Sequence, residues 1–289
     1  MAGVSRLERK AWQVLQLLLL VGCQSLQGGA TPASLPKGAR YVAMGSSYAA
    51  GPGVSNPADT PENRCSRSND NYAHQFARRH ALQLIDVSCS GATTAHVLGP
   101  WQALPPQVDA VTADTRLVTV TIGGNDVGYM GTLFSAVCDS LPTPPARVQN
   151  GKCPPTQVVT EEDWSKLAIA MDAIADEVRR RAPRAQLVFV QYPLVLPEQS
   201  LCGGVPASDA GAAAGRAVAG RLAQVTAQSA ARKGAMLLET NLISRGHDAC
   251  SQEPWTSGYF GPNGQAVAVP FHPNLAGMTA IAAALETVR

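Results

Sequence analysis

Short apolar runs rich in β-branched residues alternate along the chain with longer stretches in which apolar residues recur every three or four positions. The short runs predict five strands, at residues 40–46, 82–87, 117–122, 187–192 and 235–239. The longer stretches predict helices at about residues 69–80, 161–181, 209–233 and 274–288. Strands that alternate with helices are typical of a parallel sheet covered on both faces. The predicted fold class is therefore α/β, a three-layer α/β/α sandwich with a five-stranded parallel sheet.

Two stretches leave the secondary structure open. Residues 209–233 are rich in alanine, and they fit either one long helix with Val218, Leu222 and Val225 inward or a disordered low-complexity segment. Residues 130–160 contain several prolines and two cysteines, and we predict an irregular insertion there. The sequence indicates no internal repeat and no second domain.

The first 22 residues predict an export signal. A basic start precedes an apolar run that is too short for an ordinary membrane helix. The run ends Leu-Val-Gly-Cys, which resembles the bacterial lipobox, where the cysteine (here Cys23) is lipidated and becomes the first mature residue. The alternative is a plain secretory signal that contains a cysteine. Residues 23–37 then predict a flexible tether, and residues 38–289 the folded domain.

The charge distribution argues against nucleic-acid binding. The 289 residues carry a formal charge of +2, and removing residues 1–22 takes away three basic residues and one acidic residue, which leaves 20 of each. The remaining basic cluster, residues 179–181, ends a predicted helix, where it complements the helix dipole.

Seven cysteines are an odd number for an exported protein. If Cys23 carries lipid, six remain, and six cysteines in an oxidising compartment predict three disulfides. Metal binding is the less favoured interpretation, because no Cys-x-x-Cys spacing or Cys/His pairing is present. We expect no metal ion and no cofactor.

Candidate chemistry lies where the predicted strands end. The first strand runs into Gly45-Ser46-Ser47-Tyr48, and a serine at a tight strand-to-helix turn is a usual setting for a hydrolase nucleophile. On its own, Gly-Ser-Ser is also an ordinary loop sequence. The third strand ends in Gly-Gly-Asn-Asp at residues 123–126, which would lie at the same edge of a parallel sheet.

Two further stretches complete a set of four. They are Ser-Gly-Ala-Thr-Thr at residues 90–94 and His-Pro-Asn at residues 272–274. In this order, the four stretches resemble the blocks of the SGNH (GDSL-like) hydrolase family, and in particular its actinobacterial secreted lipase/esterase branch.

The resemblance implies a serine ester hydrolase with a flavodoxin-like sheet. It implies that Ser47 is the nucleophile and His272 the base. Gly91 would supply a backbone N–H and Asn125 a side-chain amide, which join the Ser47 N–H as an oxyanion hole. The alternative interpretation is a turn residue for Gly91 and a turn or cap residue for Asn125.

The sequence departs from the family pattern at two positions. Ser46 stands where the family usually has an aspartate that supports the loop. The family's acid normally precedes the histidine by three residues, and here that position is Val269. Some members of the branch orient the histidine with a backbone carbonyl instead, so we expect the Val269 carbonyl to do so, with slower turnover.

Other histidines are weaker candidates for the base. His247 precedes Asp248 and a cysteine, and adjacent residues cannot easily form a catalytic pair. We expect His74, His80 and His96 on helix surfaces or loops.

The resemblance also favours disulfides between sequence neighbours, out of the fifteen pairings that six cysteines allow. The implied pairs are Cys65–Cys89, Cys138–Cys153 and Cys202–Cys250.

We therefore predict an exported ester hydrolase, monomeric, acting on small or lipid acyl esters and held at the membrane through lipid on Cys23. Two alternatives remain: a deacetylase or acyltransferase acting on cell-envelope carbohydrate, and a catalytically silent binding lipoprotein that keeps the fold as a scaffold. Labelling by a fluorophosphonate, which requires an activated serine, separates the silent protein from the enzymes.

Overall fold

Five parallel strands form the sheet of the computed structural model, which describes residues 35–142, 153 and 157–288. The strands are β1 (Arg40–Gly45), β2 (Gln83–Asp86), β3 (Thr115–Thr121), β4 (Gln186–Val190) and β5 (Met236–Leu238). Their order across the sheet is β2-β1-β3-β4-β5. The chain moves outward from β1 to β2 and then crosses to β3 on the other side of β1. Open sheets of this kind hold their ligands at the carboxyl ends of the strands beside that reversal.

Helices cover both faces of the sheet. They are α1 (Ser47–Ala50), α2 (Tyr72–His80), α3 (Thr94–Leu98), α4 (Tyr129–Cys138), α5 (Glu161–Arg181), α6 (Asp209–Lys233), α7 (Thr240–Ile243) and α8 (Leu275–Ala284), with short 3-10 turns at Gln107–Ala110 and Leu285–Thr287. The predicted α/β sandwich with a five-stranded parallel sheet is confirmed.

The two cores follow from the period of two along each strand. In β1, Tyr41 and Ala43 pack against α2 and α8, whereas Val42 and Met44 pack with residues of α4, α5 and α6. Each of these four side chains is fully buried. A strand buried on both faces requires a continuous apolar run, which is what the sequence has.

The long helices begin and end where the sequence supplies caps. Thr160 accepts a hydrogen bond from the Asp163 N–H, and the Asp163 carboxylate in turn accepts from the Thr160 N–H, which closes a capping box at the start of α5. Ser208 caps α6 through the Gly211 N–H. The stretch 209–233 is thus one helix, and the disordered alternative is wrong.

The prediction of an irregular stretch from residue 130 is wrong at its beginning, where α4 forms. Leu133, Ala136 and Val137 lie at helical spacing and are buried, because α4 packs on α6. The nearest proline on the carboxyl side is Pro142, which lies beyond the helix and does not interrupt it.

The predicted signal peptide, Cys23 and the tether up to residue 34 lie outside the described residues. Among the helices that are described, none is long and apolar enough to cross a membrane.

Candidate active site

The turn after β1 is built around a position that only glycine can occupy. Gly45 has a φ of 139°, and a Cβ atom there would lie 2.3 Å from the carbonyl oxygen of Thr121 in the neighbouring strand. That carbonyl accepts a hydrogen bond from the Ser46 N–H at 2.9 Å. The Gln107 side chain binds both backbone groups of Gly45, at 2.7 and 3.0 Å. The chain therefore leaves β1 in a fixed direction, and Ser47 begins α1 directly above the sheet edge.

Ser47 and His272 lie together although 225 positions separate them in the chain. The Ser47 Oγ is 2.8 Å from the His272 Nε2. The His272 Nδ1 is 2.8 Å from the carbonyl oxygen of Pro270, which can only accept, so Nδ1 carries the proton. Nε2 is then a free lone pair that accepts the hydrogen bond from the serine hydroxyl.

The orienting carbonyl belongs to Pro270, so the expectation of Val269 is wrong. Phe271 takes a left-handed backbone conformation, with a φ of 64°, and this turn brings the carbonyl two residues before His272 within hydrogen-bond distance of Nδ1. The Val269 side chain instead lies over Gly53. Spacing alone could not reveal this, because a left-handed phenylalanine is rare.

Burial lowers the pKa of His272 below its ordinary value of 6.5, while the hydrogen bond to the Pro270 carbonyl raises it and opposes part of the change. The imidazole is therefore neutral near pH 7, which is the state that can take a proton.

The segment that carries His272 is held on both sides. The Phe271 N–H donates to the Ser257 carbonyl at 3.0 Å, and the Ser257 N–H donates to the His272 carbonyl at 2.9 Å. From the side of the nucleophile, the Tyr48 hydroxyl donates to the Phe271 carbonyl, and the ring centroids of Tyr48 and His272 are 5.0 Å apart. No pattern in the sequence singles out Tyr48 beyond its position next to Ser47.

Three N–H groups in the turns after β1, β2 and β3 donate to no described residue: the backbone N–H of Ser47, the backbone N–H of Gly91 and one N–H of the Asn125 amide. The other N–H of Asn125 donates to the Ala92 carbonyl at 2.8 Å, which ties the loop after β3 to the loop after β2. Because β1 lies between β2 and β3, these two loops flank the turn that carries Ser47.

Asp126 strengthens the same link between loops. Its carboxylate accepts hydrogen bonds from the Thr94 N–H at 3.1 Å and from the Thr94 hydroxyl. Burial raises the pKa of Asp126 above its usual 3.8, although the Thr94 bonds act against that change. A carboxylate two residues beyond Gly124 thus anchors the start of α3, and it makes no contact with His272 in the described structure.

The other four histidines lie elsewhere. His74 and His80 face the carboxylates of Asp86 and Glu286, at 3.4 and 2.5 Å. The rings of His96 and His247 stack on Trp101 and Trp255, with centroids 4.0 and 4.2 Å apart. None of these rings is bonded to Ser47, so His272 is the base that the geometry supports.

The structure contains the three disulfides that the resemblance implied, Cys65–Cys89, Cys138–Cys153 and Cys202–Cys250. The first lies next to the site, because the carbonyl of Cys65 accepts the Ser90 N–H at 3.1 Å and so fixes the residue before Gly91. Within the described part of the chain, no group of three His, Cys, Asp or Glu side chains could hold a metal ion.

This arrangement is typical of a serine hydrolase of the α/β class, with the candidate nucleophile in the turn after the first strand and the candidate base before the last helix. Comparison with known proteins identifies the family: the sequence model of the GDSL-like lipase/acylhydrolase family matches residues 43–280. The chain belongs to that family, and it is a carboxylic ester hydrolase.

Named relatives agree over most of the chain. A lipase of Streptomyces rimosus is 31% identical over 253 residues, covering 86% of this chain and 88% of its own. Lipase 2 of Streptomyces coelicolor is 31% identical over 274 residues, covering 90% and 88%. The crystal structure of the extracellular lipase from Streptomyces rimosus superposes with a TM-score of 0.65 and 29% identity, covering 86% of this chain and 99% of that one.

Proposed function

We propose that the protein cleaves carboxylic acyl esters through a covalent acyl-enzyme on Ser47. The observation that carries this proposal is the 2.8 Å contact between the Ser47 Oγ and the His272 Nε2. As the Ser47 Oγ bonds to the ester carbon, Nε2 takes the hydroxyl proton. The negative charge that develops on the former carbonyl oxygen is met by the N–H groups of Ser47, Gly91 and Asn125.

Collapse of this intermediate breaks the ester C–O bond, and His272 returns the proton to the departing alcohol. Water then attacks the carbonyl carbon of the acyl-enzyme while His272 takes a proton from that water. The bond between the acyl group and the Ser47 Oγ breaks, His272 returns the proton to Ser47, and the carboxylic acid leaves. The Pro270 carbonyl fixes the ring and its tautomer, but a neutral oxygen stabilises the imidazolium less than a carboxylate does. Moderate turnover is the expected consequence.

Hydrolysis of a p-nitrophenyl ester series of increasing acyl length tests the proposal. Ser47→Ala should remove activity on every member and leave folding intact, because the hydroxyl is the nucleophile and lies at the start of a one-turn helix. Ser140→Ala is the matched control, since among the described residues that hydroxyl donates to the Ala136 carbonyl in α4, away from Ser47. Near-normal hydrolysis by Ser47→Ala would contradict the assignment.

We also propose that the protein is exported and held at the membrane by lipid on Cys23. The support is the Leu-Val-Gly-Cys sequence after a short apolar run, together with the cysteine count. The other six cysteines are paired with one another, which leaves Cys23 without a disulfide partner within the chain. Lipid esters in the adjacent membrane would then be close to Ser47.

A further inference from the structure

The buried hydroxyl of Tyr192 contacts both the turn that carries Ser47 and the loop that carries Asn125. Tyr192 follows β4, and its hydroxyl lies 2.9 Å from the Ser46 Oγ and accepts the Gly124 N–H at 3.1 Å. Ser46 directly precedes Ser47, and Gly124 directly precedes Asn125. The Tyr192 hydroxyl therefore contacts the residues directly before Ser47 and Asn125, both of which are proposed to act on the substrate.

The local packing fits this contact closely. A Cβ atom on Gly124 would lie 2.7 Å from a ring carbon of Tyr192 and 2.9 Å from its hydroxyl, so only glycine lets the ring approach. Ser46 is 1% exposed and Tyr192 is 7% exposed, so water does not readily replace either partner. Burial also raises the pKa of Tyr192 well above 10, so the hydroxyl keeps its proton at any working pH.

The Tyr192 ring is also connected, through Tyr48, to the segment that carries His272. The ring of Tyr192 packs on that of Tyr48, with centroids 4.4 Å apart, and the Tyr48 hydroxyl holds the carbonyl of Phe271 next to His272. These two tyrosines, whose ring planes are tilted by 43°, therefore contact the residues adjacent to the nucleophile, the oxyanion donor and the base.

From these contacts we infer that Tyr192 is a positioning residue for the hydrolysis, and that the Ser46–Tyr192 hydrogen bond provides the loop support that the family usually obtains from an aspartate at position 46. Tyr192 touches no reacting atom. It sets the distance between Ser47 and the Asn125 amide, and an error of about 1 Å in such a distance lowers rates by roughly two orders of magnitude. The inference rests on the proposed role of Ser47.

Because Tyr192 acts on the chemical step, its loss should lower kcat and leave KM unchanged. Tyr192→Phe keeps the ring and removes both hydrogen bonds of the hydroxyl. The matched control is Tyr41→Phe, which changes a fully buried tyrosine of β1. The Tyr41 hydroxyl lies 2.8 Å from the Thr119 hydroxyl and makes no hydrogen bond with the turn that carries Ser47. Tyr192→Phe loses two buried hydrogen bonds and Tyr41→Phe loses one, so a purely structural role predicts lower thermal stability in both variants and no loss of kcat in either where both are folded.

The experiment measures kcat and KM on one soluble ester for wild type, the two variants and Ser47→Ala. We expect Tyr192→Phe to lose at least fivefold in kcat with KM within twofold of wild type, and Tyr41→Phe to keep wild-type kcat at a temperature where both are folded. A smaller loss of kcat, or a loss expressed in KM, would overturn the inference. If Ser47→Ala itself stays active, the proposed function fails instead, so the two failures are distinguishable.

Ser46→Ala keeps the test decisive if Tyr192→Phe does not fold. Ser46→Ala removes one of the two hydrogen bonds and should lower kcat about threefold or more, again without changing KM. Where both single variants fold, the double variant Ser46→Ala/Tyr192→Phe should be no slower than Tyr192→Phe, because the two side chains share one bond. An unchanged kcat in Ser46→Ala, or independent effects in the double variant, would contradict the role assigned to Tyr192.

Discussion

In the proposed mechanism, the protonation state of His272 controls the chemistry. The catalytic form has a neutral ring whose Nε2 can take the Ser47 proton, and burial lowers the pKa of His272 from 6.5, with the Pro270 carbonyl acting in the opposite direction. The neutral form therefore persists into mildly acidic solution.

The pH dependence of kcat/KM follows from this direction. As pH falls, activity should remain on its plateau through the ordinary histidine pKa and decline with a midpoint below 6.5, where the ring becomes protonated. The measurement is kcat/KM on a neutral ester across the acid limb, with protein stability checked at each pH. A midpoint at or above 6.5 would show that burial is not the dominant influence on the pKa of His272.

Gly45 allows a second prediction at the scale of one residue. Gly45→Ala places a Cβ against the Thr121 carbonyl and forces a side chain onto a φ of 139°, so the free energy of unfolding should fall by about 3 kcal/mol. Gly220→Ala is the control, because Gly220 lies inside α6 with nothing within 4 Å of its Cβ position, and it should stabilise by about 0.5–1 kcal/mol. Denaturant unfolding measures both, and equal changes would refute the steric argument.

Single residues divide into those that sequence could assign and those that it could not. Ser47 and His272 stand in recognisable blocks, and the structure brings them into contact. Pro270 and Tyr192 carry no motif: the role of Pro270 depends on the left-handed turn at Phe271, and that of Tyr192 on the packing of β4 beside β3. Both are tertiary effects without a local pattern.

Strands and long helices were predictable because burial imposes a period on their sequences. Every strand was found within two residues of its observed ends, and α5 and α6 at their observed bounds. The missed α-helices of the described structure are α4 and the short α1, α3 and α7. A helix of four or five residues is too short for periodicity to show, and α4 was hidden by the prolines and cysteine that follow it.

The disulfides stabilise the loops between elements. Two of them allow a matched comparison, because only one lies next to the candidate active site. Cys65–Cys89 and Cys138–Cys153 span 24 and 15 residues, so removing either pair by substitution with alanine should lower the free energy of unfolding by about 3 kcal/mol. Only the first holds the residue before Gly91, so only its loss should also lower kcat. Equal kcat in the two double variants, measured where both are folded, would contradict a link between Cys65–Cys89 and the oxyanion hole.

At the scale of the whole molecule, the topology explains why residues distant in sequence meet. The reversal between β1 and β3 places the turns after β1, β2 and β3 at one edge of the sheet. The segment before α8 returns to the same edge from the other end of the chain. This arrangement could be predicted because alternating strands and helices allow few topologies. The shape of the substrate crevice could not, because it depends on loops.

The proposed attachment to the membrane concerns the protein as a whole. If Cys23 carries two or three acyl chains, the protein should sediment with membranes, since two chains anchor stably and one does so only marginally. Expression of the full gene product in a suitable bacterium, followed by fractionation, compares wild type with Cys23→Ala, which should move to the soluble fraction. Wild type found mainly in the culture fluid, with an N-terminus beyond residue 23, would contradict the anchor.

The most direct test of the central claim is covalent capture of the nucleophile. Wild-type protein treated with a fluorophosphonate should gain the mass of one phosphonyl group, and peptide mapping should place it on Ser47. His272→Ala should react far more slowly, because the hydroxyl loses its base, and Ser47→Ala should gain no mass. Labelling of any other serine, or unchanged labelling in Ser47→Ala, would contradict the account.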